Sequence, residues 1–117
     1  MNILLIEDVK EARNEIETEL VRIEHTVQSA TNTSEGLGML ENKSYDMVLL
    51  DIRMLIISGR SLVSLIKEFL GKKTPLIIIS SPHDQFIFEY FTRLGAVEFL
   101  TKPVNYSRFN SICQRYR

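Results

Sequence analysis

The sequence predicts an α/β fold: a doubly wound, five-stranded parallel sheet with five helices, forming a single domain over residues 1–117. Three observations predict it. A short apolar run followed by a stretch of helical periodicity recurs five times along the chain. The runs are continuously apolar rather than alternating, which marks strands buried on both faces. With 117 residues, the chain is long enough for one good core and too short for two.

The elements follow in order. Ile3 to Ile6 reads as the first strand. Val9 to Glu24 reads as a helix, because Ala12, Ile16, Leu20 and Ile23 recur at i, i+4, i+8 and i+11. Thr26 to Ala30 is a weaker strand, and Ser34 to Asn42 a short helix carrying Leu37 and Leu40. Met47 to Leu50 is a strong strand that ends at Asp51. Ser61 to Leu70 repeats the helical stripe with Leu62, Leu65, Ile66 and Phe69, and Gly71 is expected to stop it. Leu76 to Ile79 is the most hydrophobic strand. Phe86 to Leu94 is helical and ends before Gly95. Val97 to Leu100 is the fifth strand, and Tyr106 to Tyr116 the last helix, with Phe109, Ile112, Cys113 and Tyr116 on one face.

Composition narrows the function classes. Fourteen basic residues stand against fifteen acidic ones, so no basic surface is available for nucleic acid or an anionic membrane. The apolar runs are far shorter than a bilayer span, and residues 1–5 lack the basic start and long apolar core of a signal peptide. A single cysteine, Cys113, excludes an internal disulfide and fits a reducing compartment. The chain reads as cytoplasmic, with no membrane and no direct nucleic-acid contact.

In doubly wound sheets ligands bind outside the carboxyl ends of the strands. That rule selects Glu7 and Asp8 after the first strand, Asp51 after the third, Ser80 after the fourth, and Thr101 and Lys102 after the fifth. In a flavodoxin-type strand order, 2-1-3-4-5, the first and third strands are neighbours at the switch point. Glu7, Asp8 and Asp51 then converge, and each raises the cost of ionising the others. A divalent cation relieves that cost, and oxygen-only ligands select a hard ion such as Mg²⁺. Acids also collect at strand ends because helix N-termini favour them, which is the plainer reading of Glu7 and Asp8 alone. Asp51, held at the mouth of a buried strand, has the placement of a carboxylate nucleophile. Lys102 supplies a compact positive charge for that carboxylate or an incoming phosphoryl oxygen. Ser80 supplies a hydroxyl, although a lone serine at a strand end is more often a turn residue.

Glu7-Asp8, Asp51, Gly59, Ser80 and the run Gly95-Ala96-Val97-Glu98-Phe99-Leu100-Thr101-Lys102-Pro103 resemble the receiver domain of two-component response regulators, over essentially the whole chain. The resemblance implies a signalling switch rather than an enzyme, one that assists only its own Mg²⁺-dependent phosphotransfer and autodephosphorylation. It implies that Asp51 takes a phosphoryl group from a histidine kinase or phosphotransfer protein, or from a small phosphodonor. Asp8, Asp51 and the backbone carbonyl of Arg53 would hold Mg²⁺, with Glu7 assisting through water. Ser80 and Lys102 would bond the phosphoryl group, and Phe99 would be the aromatic switch that follows Ser80. The helix Phe86 to Leu94, the fifth strand and the last helix would form the face that changes and meets a downstream effector, an output domain or a second copy in a homodimer.

The chain departs from the family pattern after Asp51. Met54-Leu55-Ile56-Ile57 places leucine where a proline is usual and makes the loop unusually apolar. Those side chains either tuck against the next helix or meet a partner. Arg53 is placed to lean over the site and hinder the water that hydrolyses a phosphoaspartate. The aromatic helix carries Phe86, Ile87, Phe88, Tyr90, Phe91 and Leu94, more than one buried stripe needs, which puts Phe86 and Phe88 at its exposed edges. His25 reads as structural, and His83 lacks companion ligands for a metal. The competing class is a pseudo-receiver, the same fold used as a phosphorylation-independent binding module. A carboxylate-nucleophile phosphatase wants Asp-x-Asp after the first strand, which Glu7-Asp8-Val9-Lys10 lacks, and no glycine-rich turn supports a dinucleotide site.

Overall fold

The five apolar runs form one parallel sheet in the order β2-β1-β3-β4-β5. The structure is a computed structural model that describes residues 1–59, 61–82, 88–93, 95 and 98–116. Its elements are β1 (Asn2–Ile6), α1 (Lys10–Arg22), β2 (Thr26–Ala30), α2 (Thr33–Asn42), β3 (Met47–Asp51), α3 (Ile52–Ile57), α4 (Leu62–Gly71), β4 (Leu76–Ser80), α5 (Phe88–Arg93), β5 (Glu98–Thr101) and α6 (Tyr106–Arg115). The predicted strand order and parallel pairing hold.

Alternation along each strand divides the interior into two cores. Leu4, Ile6, Val48, Leu50, Leu76 and Ile78 face one side, where they meet Leu37 of α2, Leu65, Ile66 and Phe69 of α4, and Phe91 of α5. Ile3, Leu5, Met47, Leu49, Ile77 and Ile79 face the other, where Ile16 and Leu20 of α1 and Phe109, Ile112 and Cys113 of α6 cover them. Burial of each such side chain stabilises the fold by about 1.5–3 kcal/mol, which is why the fully buried runs 3–6, 47–50 and 76–79 carry no polar residue.

Three boundaries differ from expectation. Among the described residues there are six helices rather than five, because Ile52–Ile57 is helical. Proline at position 55 would remove the first main-chain bond of that helix, from residue 55 to the Asp51 carbonyl, whereas Leu55 keeps it. The apolar segment divides: Ile52, Met54 and Leu55 are buried, while Ile56 and Ile57 are exposed. Gly71 is the last residue of α4 rather than the residue beyond it, and the left-handed residue that follows is Lys73, at φ 62°. At the end of α1, Glu24 takes the left-handed position (φ 74°), and the amides of Glu24 and His25 bond the carbonyls of Val21 and Leu20.

His25 is then buried, with its ring nitrogens 3.2 Å from the amino group of Met1 and 3.2 Å from Asn110 Oδ1. Its role is structural, as predicted, through packing between α1 and α6 rather than through the helix dipole. Gly95 turns the chain after α5 at φ 101°. Phe86, Ile87, Leu94, Val97 and His83 lie outside the described residues. Among the described residues, no helix is long and apolar enough to cross a membrane.

Candidate functional site

Register fixes the site. Ile6 pairs with Leu50, so Glu7 and Asp51 leave the sheet side by side; Ser80 pairs with Thr101, one residue before Lys102. The amide of Glu7 donates to the Ala30 carbonyl (3.0 Å) and that of Lys102 to the Ser80 carbonyl (2.7 Å), which anchors both loop starts to the rim. Glu7, Asp51 and Ser80 are buried, and Asp8 and Lys102 are partly exposed. The Lys102–Pro103 peptide is cis.

The Lys102 ammonium bridges the two buried carboxylates. Its Nζ lies 2.9 Å from Glu7 Oε1 and 2.7 Å from Asp51 Oδ2. The other Asp51 oxygen, Oδ1, accepts the Arg53 amide at 2.9 Å, which makes Asp51 the N-cap of α3. Burial pushes the Glu7 carboxyl up from 4.5 to about 7, helped by its hydrogen bond with Asp51 and opposed by Lys102. Burial pulls the Lys102 ammonium down, but the hydrogen bonds and charges of Asp51 and Glu7 outweigh it and leave the pKa raised.

Three buried polar atoms at this rim lack a hydrogen-bond partner among the described residues: Glu7 Oε2, Asp8 Oδ1 and Ser80 Oγ. Buried polar atoms are nearly always satisfied in native folds. Two carboxylate oxygens and a hydroxyl left over on one rim suit a hard cation and a charged oxygen ligand. As they stand, however, no three carboxylate, imidazole or thiol side chains among the described residues are close enough to hold a cation together. Glu7 and Asp51 share Lys102.

Arg53, expected to offer its backbone carbonyl, presents its main-chain amide to Asp51 Oδ1. Arg53 is the second residue of α3, where carbonyls run toward the helix C-terminus and amides toward its start. Its N–H therefore faces Asp51.

Phe99 is half-buried and stacks on Phe88 (centroids 4.4 Å apart, planes 22° apart), with Phe91 behind it at 6.3 Å. Phe88 is thus half-buried against Phe99 rather than standing free at a helix edge. A hollow of about 550 Å³ beside this pair is lined by Phe88, Thr92, Glu98, Thr101, Asn105 and Arg108. Arg108 and Arg115 pair with Glu98, at 2.8 and 3.4 Å.

One residue with a direct bearing on the site escaped the sequence reading. Arg13, in α1, donates from Nη1 to the carbonyls of Glu7 (3.1 Å) and Asp8 (3.3 Å). An arginine off the apolar stripe of a helix ordinarily reads as solvated; only its placement one turn beyond an acid pair hinted otherwise.

Residues 3–114 match the family model described as the response regulator receiver domain. The sensory transduction protein LytR of Staphylococcus saprophyticus is 34% identical over 110 residues, which cover 92% of this chain and 42% of that protein. The transcriptional regulatory protein DltR of Streptococcus agalactiae is 31% identical, over 88% of this chain and 46% of that protein. The chain thus spans less than half the length of these curated relatives. Among solved structures, the receiver domain of Francisella response regulator 1452 superposes with a TM-score of 0.81 at 23% identity, covering 99% of this chain and 98% of that one. The receiver domain of sensor histidine kinase PA1611 from Pseudomonas aeruginosa, described with a magnesium ion coordinated in its active site cleft, gives a TM-score of 0.81 at 24% identity over 98% and 95%. Both share the fold.

Proposed function

The chain belongs to the response regulator receiver domain family, and from that premise we propose that it is a phosphoacceptor switch whose Asp51 takes a phosphoryl group from a histidine kinase or phosphotransfer protein. An oxygen of Asp51 attacks phosphorus, the nitrogen–phosphorus bond of the donor phosphohistidine breaks, and the imidazole leaves with a proton from solvent. Lys102, already against Asp51, pairs with the phosphoryl oxygens, and the Ser80 hydroxyl donates to one of them. Asp8 and Asp51 are the residues that would hold Mg²⁺, with Glu7 assisting. When bound, the ion supplies charge neutralisation between acceptor and donor oxygens. Phosphorylation would then draw Ser80 toward the new anion and release Phe99 to repack beside α5, altering the α5-β5-α6 face for an effector, an output domain or a second copy.

The observation that carries this reading is the Lys102 ammonium set between two buried carboxylates, beside three buried oxygens that lack partners. A second reading, the phosphorylation-independent pseudo-receiver, draws support from the missing proline at Leu55 and the apolar segment that winds into α3 there. Incubation with Mg²⁺ and a small-molecule phosphodonor, read by intact mass, separates the two. Wild type is expected to gain one phosphate and Asp51→Ala none. A wild-type chain that stays unmodified supports the pseudo-receiver.

A further inference from the structure

The loop between β1 and α1 carries two of the three acids of the site and has no conventional cap. The N-cap residues Asn32, Asp51, Ser61 and Asn105 each accept a main-chain amide with a side-chain oxygen. Val9, the N-cap of α1, has no such bond. Three residues, Glu7, Asp8 and Val9, must therefore be held by something else. On the sheet side the Glu7 amide is tied to the Ala30 carbonyl. On the helix side the tie is Arg13, whose single Nη1 reaches the carbonyls of both acids. The Arg13 amide itself closes the first turn of α1 on the Val9 carbonyl at 2.9 Å, so the residue is rooted in the helix and grips the loop before it.

We propose that Arg13 is a positioning residue for the cation site: it fixes the peptide planes of Glu7 and Asp8 so that their carboxylates stand ready for a divalent ion. The proposal rests on the cation reading of the site given above. Guanidinium geometry suits the task, because one nitrogen carries two hydrogens and serves two carbonyls at once. Arg13 touches neither the ion nor the phosphoryl group; it acts through the loop. Its charge alone works the other way, since a cation near a cation weakens binding. Charge removal and loss of positioning therefore predict opposite signs for the same substitution.

The test is Mg²⁺ affinity of the 117-residue chain, measured by isothermal titration calorimetry and repeated with Mn²⁺ by electron paramagnetic resonance. Arg13→Ala is expected to weaken both by about 10- to 100-fold, the usual consequence of losing a group that orients metal ligands. Arg13→Lys, which keeps a charge and a donor at similar reach, is expected to recover part of the loss. Leu20→Ala, in the same helix but facing the core, destabilises α1 without touching the loop and should leave the affinity unchanged. Unchanged or tighter binding in Arg13→Ala overturns the proposal, as does an equal loss in Leu20→Ala. A wild-type chain that takes up neither ion overturns the cation reading itself and this inference with it.

Discussion

Glu7 is an acid with no exposed surface, and burial is the first cause of its carboxyl being raised to about 7. A carboxyl with a raised pKa binds its proton more tightly in the folded chain than in the unfolded one. Its stabilising contribution is therefore complete below about 4.5 and is lost as pH rises through about 7. In Mg²⁺-free buffer the urea midpoint of wild type is expected to fall between pH 5 and pH 7.5. Glu7→Gln should flatten that slope; the same slope in the variant would show that another group sets it. Arg53 invites a second measurement at this scale. Its amide fixes Asp51 Oδ1 while the residue is exposed. Removing the side chain in Arg53→Ala should open a path for water, so the phosphorylated form is expected to decay a few times faster than wild type. Equal lifetimes would refute the shielding role. The site residues were legible because each sits at the carboxyl end of an apolar run. Arg13 was not, because a hydrogen bond from a helix back to the preceding loop leaves no periodic trace.

In α2 two glycines two residues apart face different surroundings. A Cβ on Gly36 would lie 2.4 Å from Ile6 Cδ1 and 3.0 Å from its Cγ1, whereas one on Gly38 would meet nothing within 4 Å. Gly36 is what lets the helix approach β1 one residue before Glu7. Gly36→Ala is expected to cost about 1–3 kcal/mol through overpacking against a buried isoleucine. Gly38→Ala should stabilise by about 0.5–1 kcal/mol, because alanine loses less freedom in a helix. Urea denaturation of both variants checks the pair, and equal effects of the same sign would refute the contact. The elements that the sequence misjudged share a cause: local rules were overridden by packing or by a missing proline. Lys73 takes the left-handed turn where Gly71 was the expected signal, and Glu24 takes one with no glycine nearby. Ile52, Met54 and Leu55 gain enough from burial to wind a loop into α3.

Across the whole molecule, five continuous apolar runs left little choice of architecture, and two layers of helices over one parallel sheet follow from them. The consequence for function is that site and stability are one system. Glu7, Asp51 and Ser80 are buried at the rim of the same sheet that forms both cores, so an ion bound there is linked to global unfolding. An ion that binds only the folded chain adds about 2.7 kcal/mol when present at about 100 times its dissociation constant. For a domain of this size that is a rise of roughly 10 °C in Tm. Wild type heated with saturating Mg²⁺ is expected to show a rise of this order over a sodium chloride control of matched ionic strength. Asp8→Asn should lose most of the gain, because it removes a proposed ligand while leaving the Lys102 bridge between Glu7 and Asp51 intact. A rise of equal size in Asp8→Asn would place the ion elsewhere on the acidic surface, since screening is excluded by the salt control and the bridge is common to both proteins.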